Sequence, residues 1–167
     1  MQAVQASRAL HARWVQPPAS AVAFRLYVRR YATDALRDIA ATRHIGLLAF
    51  EREGDRLAGV FNLSEIIHGA LRSAFVGYYA FSSMNARGLM RDGLALTLDV
   101  AFSVLRLHRV EVNVQPTNDR SIALVDALGF TREGYSRRYV KVRGRWHDHV
   151  RYAMLVEDWR SVRPRVV

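Results

Sequence analysis

Asn118 and Ser121 stand three residues apart where a strand-like run closes at Pro116 and a helix-like run opens. An asparagine at such a point caps the helix by accepting an N–H of the first turn, and Ser121 falls within that turn. Upstream, SSMNARGLM (82–90) runs from a strand end into another helix. Its small residues Ser82, Ser83, Ala86 and Gly88 let backbone N–H groups approach an anion. The helix dipole adds positive potential there, and Arg87 adds a full charge. Two helix starts of this kind, one strand apart, can hold the two ends of a long phosphorylated cofactor. Taken singly, each reads as an ordinary capped connection, and only their order carries chemistry. No G-K-[ST] follows the glycine and no GxGxxG run is present, so two other phosphate-binding patterns are excluded.

The elements that position these turns follow from hydrophobic spacing. A helix around Leu10 and Trp14 ends at Pro17-Pro18. Ser20 caps a second, where Phe24, Tyr27, Val28 and Tyr31 recur at helical spacing among Arg25, Arg29 and Arg30. Leu36 and Ile39 extend it or form a short helix of their own. Strands are expected over 46–51 and 57–67, joined by a hairpin at 52–56. A third covers 73–81, after His68-Gly69, which completes an antiparallel meander. Leu94, Leu98, Ala101, Phe102 and Leu105 form a helix stripe. RVEVNVQ (109–115) alternates, with Val110, Val112 and Val114 on one face. Helix 119–128 turns Ile122, Val125 and Leu128 inward and stops at Gly129. Strands near 135–142 and 149–156 flank a turn at Arg143-Gly144, and the tail SVRPRVV is expected to fray. This order describes one α/β (α+β) domain, residues 1–167, with a mixed sheet.

Bulk composition agrees with that reading. A chain of 167 residues, 50% apolar and without cysteine, buries one core and holds no disulfide framework. It shows no 18-residue apolar run and no signal-peptide layout, so a cytoplasmic protein without a membrane partner is expected. A formal charge of +10 suggests anionic partners: ligand phosphates, nucleic acid or an acidic protein surface.

With these pieces in order, the chain resembles the GNAT family of acyl-CoA N-acyltransferases, and within it the RimJ/RimL type that acetylates protein N-termini. The resemblance is carried by SRALHARWVQPP (7–18), GVFNLSEIIHG (59–69), VGY (76–78), ARGLM (86–90), HRVEVNVQPTNDRS (108–121), ALGFTREGY (127–135) and GRWHDH (144–149), with Tyr152 and Asp158-Trp159 beyond. It implies a mixed, mostly antiparallel sheet splayed around a CoA cleft between the strand ending near Phe81 and the strand 109–115. Acetyl-CoA is the implied co-substrate. Its pyrophosphate would sit on the turn from Asn85 to Leu89, and the implied binding set is Phe81, Ser82, Ser83, Asn85, Ala86, Arg87, Gly88, Leu89, Met90, Asn118 and Ser121. Asn118 matches the position that holds the pantetheine arm. Ser121 matches one beside the thioester sulfur, where a hydroxyl can donate to the leaving thiolate.

The chain departs from the family pattern at four places. R/Q-x-x-G-x-G/A becomes Ser83-Met84-Asn85-Ala86-Arg87-Gly88, losing the first polar residue and the first glycine. The tyrosine acid of many members is Val125, and a frequent strand glutamate is Phe75. The usual first β-strand has no counterpart, residue 1 falling at its end or in the helix after it.

The implied activity is acetyl transfer by direct attack of an amine on the thioester. A protein α-amine, with a pKa of roughly 7.7–8.0, is neutral for on the order of a tenth of molecules at pH 7, against about 10⁻³–10⁻⁴ for lysine. An N-terminal acceptor, with a ribosomal protein as the expected target, therefore needs less help. Ser121 is the expected acid, and Glu111 the expected base with Glu65 as its rival. Each glutamate also reads as a plain surface or salt-bridged group. Asp148 matches a family position and reads equally as structural. His147 and His149 have H-x-H spacing but no third ligand, so no metal is expected. Arg132, Arg137, Arg138, Lys141, Arg143 and Arg145, with Tyr135 and Tyr139, form a solvated face or a contact for ribosomal RNA or an acidic peptide. A small amine (aminoglycoside, polyamine or amino acid) is the alternative acceptor. A non-catalytic acyl-CoA-binding or nucleic-acid-binding protein is the alternative class, and the oligomeric expectation is monomer or dimer.

Overall fold

Alternating apolar residues build the first half of the sheet. The computed structural model describes residues 2–32, 38–52, 56–81 and 88–163. Helices α1 (Gln2–Ala6), α2 (Arg8–His11) and α3 (Ala21–Tyr31) precede strands β1 (Ile45–Phe50), β2 (Leu57–Ile67) and β3 (Ser73–Ala80). Helix α4 (Leu89–Asp99) continues into a wider π turn over Val100–Val104. Then come β4 (Arg109–Val114), α5 (Asp119–Ala127), β5 (Thr131–Val142), β6 (Arg145–Leu155) and α6 (Val156–Val162). The sheet order is β1-β2-β3-β4-β6-β5. All neighbours are antiparallel except β3 and β4, which are parallel. The α/β architecture with a mixed, mostly antiparallel sheet is as the sequence implies. Among the described residues no strand precedes β1, which forms one edge.

Several boundaries differ from the periodicity reading. The segment around Leu10 and Trp14 is two short helices rather than one, because Ser7 interrupts them. Ile39 lies in a turn, where Thr42 N donates to its carbonyl, and Leu36 lies outside the described residues. The last hairpin is longer than expected, starting at Thr131 and returning from Arg145. Its polar, exposed residues carry little period-2 signal, but backbone pairing continues through them. Ser161 and Val162, expected in a frayed tail, belong to α6, which Trp159 anchors: its indole N–H donates to Asp99 at 2.9 Å.

One side of the sheet is buried by α4. Leu94, Leu98 and Ala101 are 0% exposed, and Phe61 on the facing strand is 1% exposed. Gly93 permits this close approach, since a Cβ there would lie 2.5 Å from the Phe61 ring. The π turn, closed by Leu105 N donating to Val100 O at 3.0 Å, brings Phe102 and Leu105 onto the same buried side. Among the described residues no helix is long and apolar enough to cross a membrane.

Candidate active site

Strands β3 and β4 pair only at Ser73 with Arg109, Ala74 with Val110 and Phe75 with Glu111. Beyond that point they part, while β4 stays paired with β6 along its whole length, from Arg109 with Leu155 to Val114 with Val150. The opening between Val76–Ala80 on β3 and Val112, Asn113 and Gln115 on β4 leads into a cavity of about 620 Å³. The starts of α4 and α5 close two of its sides, α2 with Trp14 a third, and His149 of β6 reaches it from beyond β4.

At the α4 end, Gly88, Leu89 and Met90 line the cavity. Gly88 has φ 74°, a left-handed conformation that favours glycine, and its carbonyl accepts from Arg91 and Asp92 at 2.8 and 3.1 Å. The first N–H groups of a helix have no acceptor within it, so this end presents donors to an anion. Ser82, Ser83, Asn85, Ala86 and Arg87 lie outside the described residues. The boundary expected at Phe81 moves to Ala80. Phe81 is 3% exposed, its N–H donates to Ala58 O at 3.0 Å, and its ring packs edge-on against His11 and Tyr79, so it is not a cavity wall.

At the α5 end, Asn118 and Ser121 both line the cavity. Asn118 caps the helix, its side-chain oxygen accepting from Ser121 N at 3.3 Å. Replacing it with alanine should therefore cost about 1 kcal/mol of stability as well as weaken acyl-CoA binding. Calorimetry of folding and of acetyl-CoA binding by Asn118→Ala reads the two effects separately. The Ser121 Oγ lies 2.6 Å from the Tyr78 hydroxyl across the cleft. Burial pushes the Tyr78 phenol up to about 12, partly opposed by the bond to Ser121, so it stays protonated throughout the neutral range. Two hydroxyls sharing one hydrogen bond retain one further proton for a third partner.

The carboxylates are elsewhere. Glu111 accepts from Arg109 Nε at 2.8 Å, and Arg109 also grips both oxygens of Glu133. Glu65 sits in the β2 bulge, 3.2 Å from Arg30 and exposed to solvent. Neither glutamate lines the cavity, so the expected base Glu111 is not brought to Ser121. Asp148 accepts from the Tyr135 hydroxyl at 2.5 Å and from Arg138 N at 2.7 Å, which holds the β5 bulge. Among the described residues no Asp or Glu lines the cavity.

Tyr78 and His149 are wall residues to which periodicity assigned no role. Tyr78 shares strand parity with buried Val76, which is the one signal that pointed inward. His149 is 5% exposed, and its Nδ1 lies 3.0 Å from the His147 carbonyl. His147 faces a second cavity of about 380 Å³, so the two imidazoles do not converge. Among the described residues there is no group of three side chains able to hold a metal.

Comparison with known proteins accounts for this arrangement. The model of the Acetyltransferase (GNAT) domain matches residues 2–131. A Bacillus subtilis protein named "Probable N-acetyltransferase YjcK" is 41% identical over 115 residues, covering 69% of this chain and 62% of that protein. The ribosomal protein uS5-alanine N-acetyltransferase of Escherichia coli is 32% identical over 110 residues, covering 66% and 57%. The match thus spans about three fifths of these relatives' length. The solved structure of Mycobacterium smegmatis RimJ in complex with CoA-disulfide is 31% identical, with a TM-score of 0.76 over 94% of this chain and 76% of that one. Spermidine acetyltransferases also occur among the relatives. The cleft, its two helix starts and the matched span together show that the chain belongs to the GNAT acetyltransferase family.

Proposed function

We propose that this protein transfers an acetyl group from acetyl-CoA to a protein N-terminal α-amine, with a ribosomal protein as the expected target in the cytoplasm. The observation that carries the reading is the hydroxyl pair Tyr78–Ser121 inside the splayed β3–β4 cleft. Gly88, Leu89 and Met90 suit the phosphate end of the cofactor, and Asn118 with Ser121 suits its thioester end. The neutral amine attacks the thioester carbonyl, and its carbonyl oxygen takes up negative charge that backbone N–H groups of the splayed strands can stabilise. When the carbon–sulfur bond breaks, the free hydroxyl proton of the Tyr78–Ser121 pair donates a hydrogen bond to the departing thiolate.

The acceptor class follows from charge. The second cavity shares Trp14 and Gln115 with the first, and among the described residues it is lined by Arg13, Arg143, Arg145 and His147 and by no carboxylate. Arg13 lies over the Trp14 ring at 4.8 Å, and none of the three arginines has an ion-pair partner among the described residues. A polyamine would enter this space with no counter-charge, whereas a peptide bearing an acidic side chain would find three. The same face leaves contact with ribosomal RNA open as a second use of these arginines.

Thiol release from acetyl-CoA, measured against N-terminal peptides and spermidine, tests the reading. Peptides with an acidic residue within the first few positions should be turned over best. Their kcat/KM should exceed that of spermidine by at least about tenfold, which corresponds to roughly 1.4 kcal/mol. Preference for spermidine would overturn the acceptor assignment. Tight acetyl-CoA binding without thiol release to any amine would favour a non-catalytic acyl-CoA sensor.

A further inference from the structure

We propose that His149 is the general base of this site, with Nε2 taking the proton from the attacking amine; the inference rests on the acetyl-transfer reading above. A backbone carbonyl carries no hydrogen, so the 3.0 Å contact between Nδ1 and His147 O requires the proton on Nδ1. That leaves the lone pair on Nε2, which has no hydrogen-bond partner among the described residues and belongs to a side chain lining the main cavity. The ring is held in place by Tyr139 of β5, edge-on at 6.1 Å.

The surroundings favour a neutral imidazole. Burial holds its pKa below the ordinary value of 6.5, and the charge of His147 acts in the same direction. The bond to the His147 carbonyl, second only to burial, and the weaker effect of Asp148 oppose that lowering without cancelling it. Tyr78 and Tyr79 of β3, His11 of α2, Arg91 of α4 and Arg120 of α5 line the same cavity, and among the described residues no carboxylate does. His11, the other imidazole on the wall, is not equivalent. Its Nε2 donates to Ala80 O at 2.7 Å, which leaves its acceptor Nδ1 buried and unpartnered rather than open to a substrate.

The step balances. The amine nitrogen forms its bond to the acetyl carbon, and the carbonyl π pair moves onto oxygen. The resulting ammonium proton passes to Nε2. The oxygen pair then re-forms the carbonyl as the carbon–sulfur bond breaks, and CoA leaves as thiolate. The imidazolium returns its proton to water.

His149→Gln and His149→Ala test the assignment. Both variants should lower kcat about 10²–10⁴-fold, with the KM for acetyl-CoA changed less than about threefold if the cofactor walls are intact. The wild-type log kcat profile should fall with slope one below the amine pKa of roughly 7.7–8.0 and with slope two below the imidazole pKa, which lies under the ordinary 6.5. The variants should show slope one throughout, and added free imidazole should partly restore His149→Ala. Turnover within about fourfold of wild type, with an unchanged slope-two limb, would overturn the proposal. A ¹⁵N-resolved titration of the His149 ring needs no substrate and so separates this inference from the acetyl-transfer reading. It should report the Nδ1–H tautomer and a pKa below 6.5. The Nε2–H tautomer, or a pKa at or above that value, would overturn the assignment even if the enzyme acetylates peptides.

Discussion

Tyr78→Phe and Ser121→Ala are each expected to lower turnover by about 10–100-fold at saturating substrates, the loss of one hydrogen bond of roughly 1.5–3 kcal/mol to a charged leaving group. The two hydroxyls share a single hydrogen bond at 2.6 Å, so each orients the proton that the other leaves free. Removing either one both deletes a donor and releases its neighbour from its geometry. The double variant should therefore lose much less than the product of the single losses. Acetyl-CoA affinity should change little in Tyr78→Phe, because the aromatic wall remains. Since burial holds the phenol at about 12, its ionisation should produce no alkaline fall in kcat below pH 10. Losses below about threefold in both single variants, or a strictly multiplicative double variant, would remove the pair from the departure of the thiolate.

Phe61→Ala is expected to destabilise the fold by roughly 3–5 kcal/mol. The ring is 1% exposed, and α4 rests on it at Gly93, where a Cβ would lie 2.5 Å from the ring. It also lies 6.0 Å, centroid to centroid, from Tyr78. One side chain thus supports both the helix whose start lines the cavity and the tyrosine of the hydroxyl pair. Chemical denaturation should show the loss, and thermal unfolding a drop on the order of 10 °C. Gly93→Ala approaches the same contact from the opposite direction and should cost about 1–3 kcal/mol by overpacking. A loss under about 1 kcal/mol for Phe61→Ala would mean that α4 can settle onto the sheet without the ring.

Much of the scaffold was legible because its signals are local. The helix stripe Leu94, Leu98, Ala101, Phe102 and Leu105 and the alternation of Val110, Val112 and Val114 repeat within a few residues, and all of these positions are buried. Ser20 and Asn118 were readable as caps, since a cap is a contact over three residues. The exposed ends of the β5–β6 hairpin were not, because their polar residues give no period and pairing across the sheet sets their length. The family resemblance, covering most of the chain, supplied the position of the cleft.

Charge pairing and hydroxyl pairing behave differently from periodicity. The alternation of β4 correctly set Glu111 and Asn113 opposite the valines, yet only Asn113 reaches the cavity, while Arg109 holds the Glu111 carboxylate. Period two names a face but says nothing of which groups on it find partners. Tyr78 and Ser121 are 43 residues apart, and nothing local in either segment announces the other.

By itself, the sequence determined the order of the strands and of the helices between them, the Asn118 cap and the family, because propensity, capping and motif spacing are properties of contiguous residues. Only the tertiary structure decided where the sheet opens, that Tyr78 faces Ser121, that Glu111 is held outside the cavity and that His149 lines it. Those outcomes depend on β3 parting from β4 after Phe75 while β4 stays paired with β6 throughout, an arrangement of strands distant in the chain that no local pattern encodes.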